Sequence, residues 1–213
     1  MIGIYVLIVM IVMIIVLSVC GVIFLGWLIT KLGPSGIELP EKRAGRLGEN
    51  FASTVIQEIL HDDDIMLTNV RIMAEGKETE LDNLIINKHG IFIIEVKNYS
   101  GELFGEEEDD EWIKTKMTPG GSFYQKTVRN PIKQVNRQIY ILSRFLKEND
   151  IHVWVDGFVF FVQNNSPIES KYVLRTQRDI DMAIHGGEEV VREEYIRKIE
   201  EMTMMDCSRV GFL

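Results

Sequence analysis

The chain has 213 residues, 46% hydrophobic and 26% charged, with a formal net charge of −9. That composition excludes a disordered chain and allows one domain with an appendage. Two cysteines, Cys20 and Cys207, exclude a disulfide-stapled fold and a cysteine metal pair, and the absence of a repeat period excludes a solenoid, a collagen and a coiled-coil rod.

Met1 to Thr30 contains no Asp, Glu, Lys or Arg. Ile2 to Ile29 is almost unbroken Ile, Val, Leu, Met and Phe, longer than the roughly 20 residues that cross a bilayer. A cleaved signal peptide would need a basic start and a shorter apolar core. The expectation is therefore one uncleaved transmembrane helix, with lipid contact through residues 4–29 and Trp27 near the interface. Nothing basic precedes it except the α-amine, while Lys31, Lys42, Arg43 and Arg46 follow. The positive-inside rule then predicts a single-pass protein of the cell membrane with its C-terminal domain in the cytoplasm. Gly33-Pro34-Ser35-Gly36 reads as linker within 31–41.

Glu41 to Leu60 reads as a helix, with Ala44, Leu47, Phe51, Val55 and Ile59 as its apolar stripe. A second stripe of small residues, Gly45, Gly48 and Ala52, runs beside it and includes Glu49. Ile65 to Met73 reads as a strand after the polar loop His61–Asp64. Leu81 to Asn87 and Ile91 to Asn98 read as a hairpin through Lys88-His89-Gly90. Short strands are expected at Glu102–Phe104 and Trp112–Lys116 around an acidic loop, then a turn over Thr118–Ser122. Asn130-Pro131 is a helix start, with Asn as the cap and Pro in the first turn. That helix carries Ile132, Val135, Ile139, Leu142 and Phe145. Val153 to Val162 reads as a buried strand, Tyr172 to Leu174 as another, and Val190 to Met202 as a terminal helix.

Ile91-Phe92-Ile93-Ile94-Glu95-Val96-Lys97 places two ionisable residues on one face of an otherwise apolar strand. One reading is a Glu–Lys pair at a strand end; the other is a site that keeps charge wet, paired or metal-bound. The hairpin partner bears on the choice. A two-residue loop at His89-Gly90 would set Lys88 opposite Ile91 and bring Asp82 opposite Lys97, on the face shared with Glu95. A three-residue loop would throw Asp82 to the other face. Two carboxylates suit Mg2+, and a lysine beside them can balance charge on a phosphate under attack. Glu49 is either a further carboxylate or a solvated first-turn acid.

These residues carry a resemblance. Gly45-x-x-Gly48-Glu49, Glu80-Leu81-Asp82-Asn83-Leu84-Ile85-Ile86, Gly90 to Lys97 followed by Asn98-Tyr99-x-Gly101, and Asn130-Pro131-x-x-Gln134 resemble four ordered blocks of the nuclease-related domain (NERD) family. That family is a branch of the PD-(D/E)xK nuclease superfamily. Leu81 stands where the superfamily's name-giving proline would be. The resemblance implies a restriction-endonuclease-like α/β fold, a mixed β-sheet flanked by helices, spanning 42–165 after the transmembrane helix of 1–30. A C-terminal strand and helix extension over 166–213 would pack on it. It implies Asp82, Glu95 and Lys97 as catalytic core, with Glu49 and Gln134 supporting. Asp82, Glu95 and Glu49 would hold Mg2+, with Mn2+ as the alternative.

Lys114, Lys116, Lys126, Arg129, Lys133 and Arg137 lie in a stretch from Trp112 to Lys147 without Asp or Glu. Read with the resemblance, they are expected to bind nucleic-acid phosphates, DNA favoured. A solvated helix face or attraction to anionic lipid headgroups would use the same residues. The run Glu106 to Glu111 reads as a solvated acidic loop. The four histidines show no ligand spacing. The expected function is a membrane-anchored, metal-dependent nuclease. The rival is a non-catalytic, membrane-tethered nucleic-acid-binding or assembly module on the same scaffold.

Overall fold

A computed structural model describes residues 10, 13, 18–24, 40–117 and 121–210 of the chain. It has two units, Met1–Pro40 and Glu41–Leu213. In the first, residues 18–24 are helical. Among the described residues no helix is long and apolar enough to cross a membrane; the span expected over 4–29 lies largely outside them.

From Pro40 onward the elements are α1 (Pro40–Gln57), β1 (Ile65–Ala74), β2 (Lys77–Asn87), β3 (Gly90–Lys97), β4 (Glu102–Phe104), β5 (Glu111–Met117), β6 (Phe123–Arg129), α2 (Pro131–Glu148), β7 (Val155–Phe161), β8 (Val173–Leu174), α3 (Gln177–His185) and α4 (Glu193–Val210). A five-stranded sheet has the order β1-β2-β3-β7-β8, and a separate three-stranded sheet is β4-β5-β6. The first three strands are antiparallel, and β3, β7 and β8 are parallel. This is the expected mixed sheet flanked by helices.

Side-chain alternation sorts the large sheet into two cores. Leu84, Ile86, Ile91 and Ile93 pack with Ile141, Leu142, Phe145 and Leu146 of α2 and with Ile196 and Ile199 of α4. Ile85, Phe92, Ile94 and Val96 pack with Ala52 and Ile56 of α1 and with Ile180 and Ile184 of α3. Each such aliphatic side chain contributes roughly 1.5–3 kcal/mol. The two-faced burial explains why β3 reads as an unbroken apolar run.

The buried stripe of α1 differs from the expected one. Leu47 and Phe51 are about half exposed, while Ala52 and Ile56 are fully buried. The small-residue stripe is the packing face. A Cβ on Gly48 would lie 2.5 Å from the Asn98 Cβ, so only glycine lets the helix approach the end of β3. Asn98 fixes that approach, donating to the Ala44 carbonyl at 2.7 Å and accepting from Gln163 at 3.0 Å. A Cβ on Gly157 would similarly lie 2.4 Å from Val135 Cγ1, which lets α2 settle onto β7.

Three elements went unanticipated. β2 extends back to Lys77 through a turn at Glu75 (φ 51°) and Gly76 (φ 70°). β6 occupies a stretch without apolar alternation, almost wholly exposed. α3 begins at a capping box in which Thr176 and Asp179 satisfy each other's backbone N–H groups. The turn expected over Thr118–Ser122 falls mostly on residues outside those described.

Asn130 caps α2 as expected, accepting from the Ile132 N–H at 2.9 Å. Its amide also donates to the carbonyls of Asp109 at 2.7 Å and Glu107 at 3.0 Å, tying down the acidic loop. That loop is therefore a fixed turn stitched to the start of α2. Beside it Trp112, fully buried, donates to the Glu106 carbonyl at 2.8 Å and stacks on Phe161.

Candidate active site

The hairpin β2–β3 turns on Lys88-His89, with Asn87 paired to Gly90. The expected loop was one residue later. Asn87 decides the matter: its side-chain oxygen accepts from His89 N at 2.9 Å and Gly90 N at 3.1 Å, closing the turn locally. Asp82 therefore falls in register with Glu95 rather than Lys97. The shift is two residues, so all three still share the face toward α2.

Asp82 stands where the ladder opens on both sides. Pairing with β3 stops at Asn83–Ile94. On the other side, β1 pairs through Thr68 and Val70 but skips Asn69, whose φ is +53°. Asn69, in the left-handed region that Asn tolerates better than most residues, interrupts the β1 ladder opposite the acid. Freed from the ladder, the Val96 N–H donates to Asp82 Oδ2 at 2.8 Å. Asp82 Oδ1 accepts no hydrogen bond among the described residues.

Glu95 is 2% exposed and held from three directions. Gln134 donates to its Oε1 at 2.6 Å, Gln138 to its Oε2 at 2.7 Å, and Lys97 forms an ion pair with Oε1. A carboxylate offers about four lone-pair positions, so one remains. Gln138 was missed by sequence reasoning, although it lies one helical turn beyond Gln134. It also donates to the Glu80 carbonyl at 3.0 Å, while its own Oε1 is buried without a partner.

The electrostatics follow from crowding of acids. Burial, then repulsion from Glu95, pushes the Asp82 carboxyl up to about 7 against the Val96 hydrogen bond and the Lys97 charge; Glu49 adds a smaller upward push. Burial pulls the Lys97 ammonium down, but Glu95, Tyr99 and Asp82 together leave it raised, so it stays charged. Burial raises the Tyr99 phenol, with Lys97 and Lys126 opposing and Glu95 adding.

The raised Asp82 has a consequence for stability. Between its unfolded value near 3.8 and about 7 the folded chain keeps a proton that the unfolded chain releases. The folded state loses relative stability as pH rises through that window. Asp82→Asn is expected to melt higher than the parent at pH 8 in EDTA, and the gain should shrink toward pH 4. A gain independent of pH would contradict the assignment.

Of the six expected phosphate-binding residues, Lys114, Lys116 and Lys126 lie on one face of the small sheet with Tyr124, as strand alternation and the β5–β6 register require. Lys114 sits over the Tyr99 ring at 5.4 Å, which brings this face beside the acids. Arg129 points to the opposite face, a departure from the expected grouping. Lys133 and Arg137 flank Gln134 on α2, with Arg137 donating to the Glu78 carbonyl at 3.1 Å.

Residues 44–162 match the family described as Nuclease-related domain. The chain belongs to the nuclease-related domain family. The matched segment contains every one of the expected site residues and gives the fold its nuclease-like scaffold. The chain is also similar to an uncharacterised protein of Bacillus anthracis, 26% identical over 108 residues, covering 50% of this chain and 49% of that protein. It thus spans about half the length of this curated relative. No solved structure matches.

Proposed function

We propose that this member of the nuclease-related domain family is a metal-dependent nuclease that hydrolyses nucleic-acid phosphodiesters, DNA favoured. Residues 4–29 tether it to the cell membrane with the domain on the cytoplasmic side. The observation that carries the enzymatic reading is the convergence of Asp82, Glu95 and Lys97 at an opening in the sheet. The anchor reading is supported by the uncharged apolar run and the basic residues after it.

The donor set fits a divalent cation. Asp82 Oδ1 accepts no hydrogen bond among the described residues, Glu95 keeps a lone-pair position, and a cation offsets the burial and the Glu95 repulsion that raise Asp82. The orphaned Gln138 Oε1 is an acceptor suited to a water of the ion's shell. Asp82 and Glu95 would hold Mg2+ or Mn2+, with Glu49 as a further carboxylate. Bound there, the ion supplies charge neutralisation at the phosphate and a more acidic water.

The chain's own residues do the rest. Gln134 and Gln138 fix both oxygens of Glu95, so the carboxylate does not rotate. Lys97, kept cationic by Glu95, offers N–H donors to the attacking water and to the negative charge that builds on the phosphate. Lys114, Lys116 and Lys126 present a basic face to the strand, and Tyr99 and Tyr124 lie among them to stack or hydrogen-bond.

The test is cleavage of supercoiled plasmid, single-stranded DNA and RNA by the full-length protein in Mg2+, Mn2+ or EDTA. Metal-dependent cleavage is expected. Salt-sensitive binding without cleavage in any metal would replace this reading with the tethered binding module.

Two further outcomes follow from the geometry. Cation affinity should rise from pH 6 to pH 8 and level off above, because the ion binds the ionised form of Asp82 and must expel its proton below about 7. Calorimetry in buffers of different ionisation enthalpy reads that proton release, and affinity flat across this range would refute it. Gln138→Leu keeps the volume and removes the bond to Glu95. Cleavage should fall about 10–100-fold, the usual effect of losing a partner that orients a ligand, with little change in DNA affinity.

A further inference from the structure

Three of the four histidines come together far from the candidate active site. His61 and Asp64 belong to the α1–β1 loop, His185 ends α3, and His89 sits in the β2–β3 turn. Ligand atoms of His61, Asp64 and His185 all lie within 4.8 Å of one another. β3 begins beside this cluster at Gly90 and ends at Lys97 in the acidic site, so the strand's length, roughly 20 Å, separates the two.

We propose that His61, Asp64 and His185 form a second metal site, for Zn2+ or a similar first-row transition ion, that pins the α1–β1 loop to the end of α3. Two imidazoles and one carboxylate are the donor set such ions prefer, and one in which Mg2+ competes poorly.

The surroundings are built for this role. His185 Nδ1 is 2.7 Å from Asp181 Oδ1, and its Nε2 is 2.8 Å from Asp64 Oδ2. With Asp181 accepting from Nδ1–H, Nε2 would be the coordinating nitrogen, the carboxylate–histidine arrangement that orients metal-bound imidazoles. Asp64 is likewise fixed, accepting from the His61 backbone N–H at 2.7 Å with a side chain only 2% exposed. His61 stacks on His185 with ring centroids 4.1 Å apart, and neither of its ring nitrogens is hydrogen-bonded among the described residues. An ion held by both imidazoles lies in the plane of each ring, so His61 turns out of the stack on binding; its exposure leaves room. His89 donates to or accepts nothing from the three ligands. Its Nδ1 contacts the Gly187 carbonyl at 2.8 Å, and its ring edge borders His185.

Without an ion, the same groups are an Asp64–His185–Asp181 hydrogen-bonded triad, and the experiment separates the two. Full-length protein in detergent is equilibrated with Zn2+ in the presence of a large excess of Mg2+, gel-filtered and assayed for metal. The proposal expects about one retained equivalent, a melting temperature raised by zinc, and visible ligand-field bands when Co2+ replaces Zn2+. His61→Ala should lose all three, because His61 coordinates but does not hold the triad. Asp181→Asn should keep the stoichiometry and weaken zinc about 10–100-fold. Asp82→Asn should change none of them, which distinguishes this site from the acidic one. Unaltered zinc binding by His61→Ala, or no retained zinc in the parent, would overturn the assignment.

Discussion

Glu95→Ala is expected to abolish phosphodiester cleavage, lowering the rate by about 10^3-fold or more, in a chain that remains folded. Glu95 is the one carboxylate that every part of the site addresses: Gln134, Gln138 and Lys97 all donate to it. Truncation removes a proposed cation ligand and the ion-pair partner of Lys97 at once. It also removes the second largest cause of the raised Asp82, so that acid should ionise at lower pH. Two amides and an ammonium lose a partner, which costs about 1–3 kcal/mol for each unsatisfied buried group. Relief of the Asp82–Glu95 repulsion offsets part of this. Cleavage assays beside thermal melts check the outcome. A folded Glu95→Ala protein with parental activity would end the assignment of cleavage to this site. Glu95→Gln is the complementary variant: it keeps the volume but sets its own amide N–H against one of the two glutamine donors.

Trp112→Ala should destabilise the chain by about 3–5 kcal/mol, the usual cost of emptying a large buried aromatic site. Trp112 joins three parts of the molecule. It lies on β5, packs in a cluster with Ile132 and Val135 of α2 and Phe161 of β7, and bonds the Glu106 carbonyl of the acidic loop. Its loss should loosen the small sheet before the large one, since the large sheet has two cores of its own. Urea unfolding measures the stability change, and DNA affinity at fixed salt reads the position of Lys114, Lys116 and Lys126. Trp112→Phe should fall between, keeping the stack and losing the N–H bond. A change below about 1 kcal/mol would mean that the small sheet is held by something else.

What could be read from sequence was the apolar period of β1 to β3, the cap at Asn130 and the acids embedded in β2 and β3. These signals are local. The misjudged features depend on groups that only the fold brings together. The hairpin register turned on the Asn87 side chain, which no apolar pattern encodes. On α1 the larger residues Leu47 and Phe51 suggested the buried face, but close approach to Asn98 selects glycine and alanine there. β6 was missed because its residues are nearly all exposed, so it has no burial period to betray it. α3 is short, but Thr176 and Asp179 were a legible start signal. Gln138 was accessible too, one turn from Gln134 on a recognised helix. The gathering of His61, Asp64 and His185 was not: three distant segments meet, and their spacing in the chain encodes nothing.

The order in which the acidic site can assemble follows from where its bonds lie along the chain. Asp82 reaches Val96 across 14 residues, within one hairpin, whereas Gln134 and Gln138 reach Glu95 across 39 and 43. Hairpins close within microseconds, and longer loops pay more entropy before any contact rewards them. The two facing carboxylates therefore meet early in folding, still wet, and the glutamines arrive when α2 docks. That docking supplies the two bonds that fix Glu95. A divalent ion present at that moment would speed it by cancelling the charge being buried, so refolding should accelerate with Mg2+ in the parent and not in Asp82→Asn.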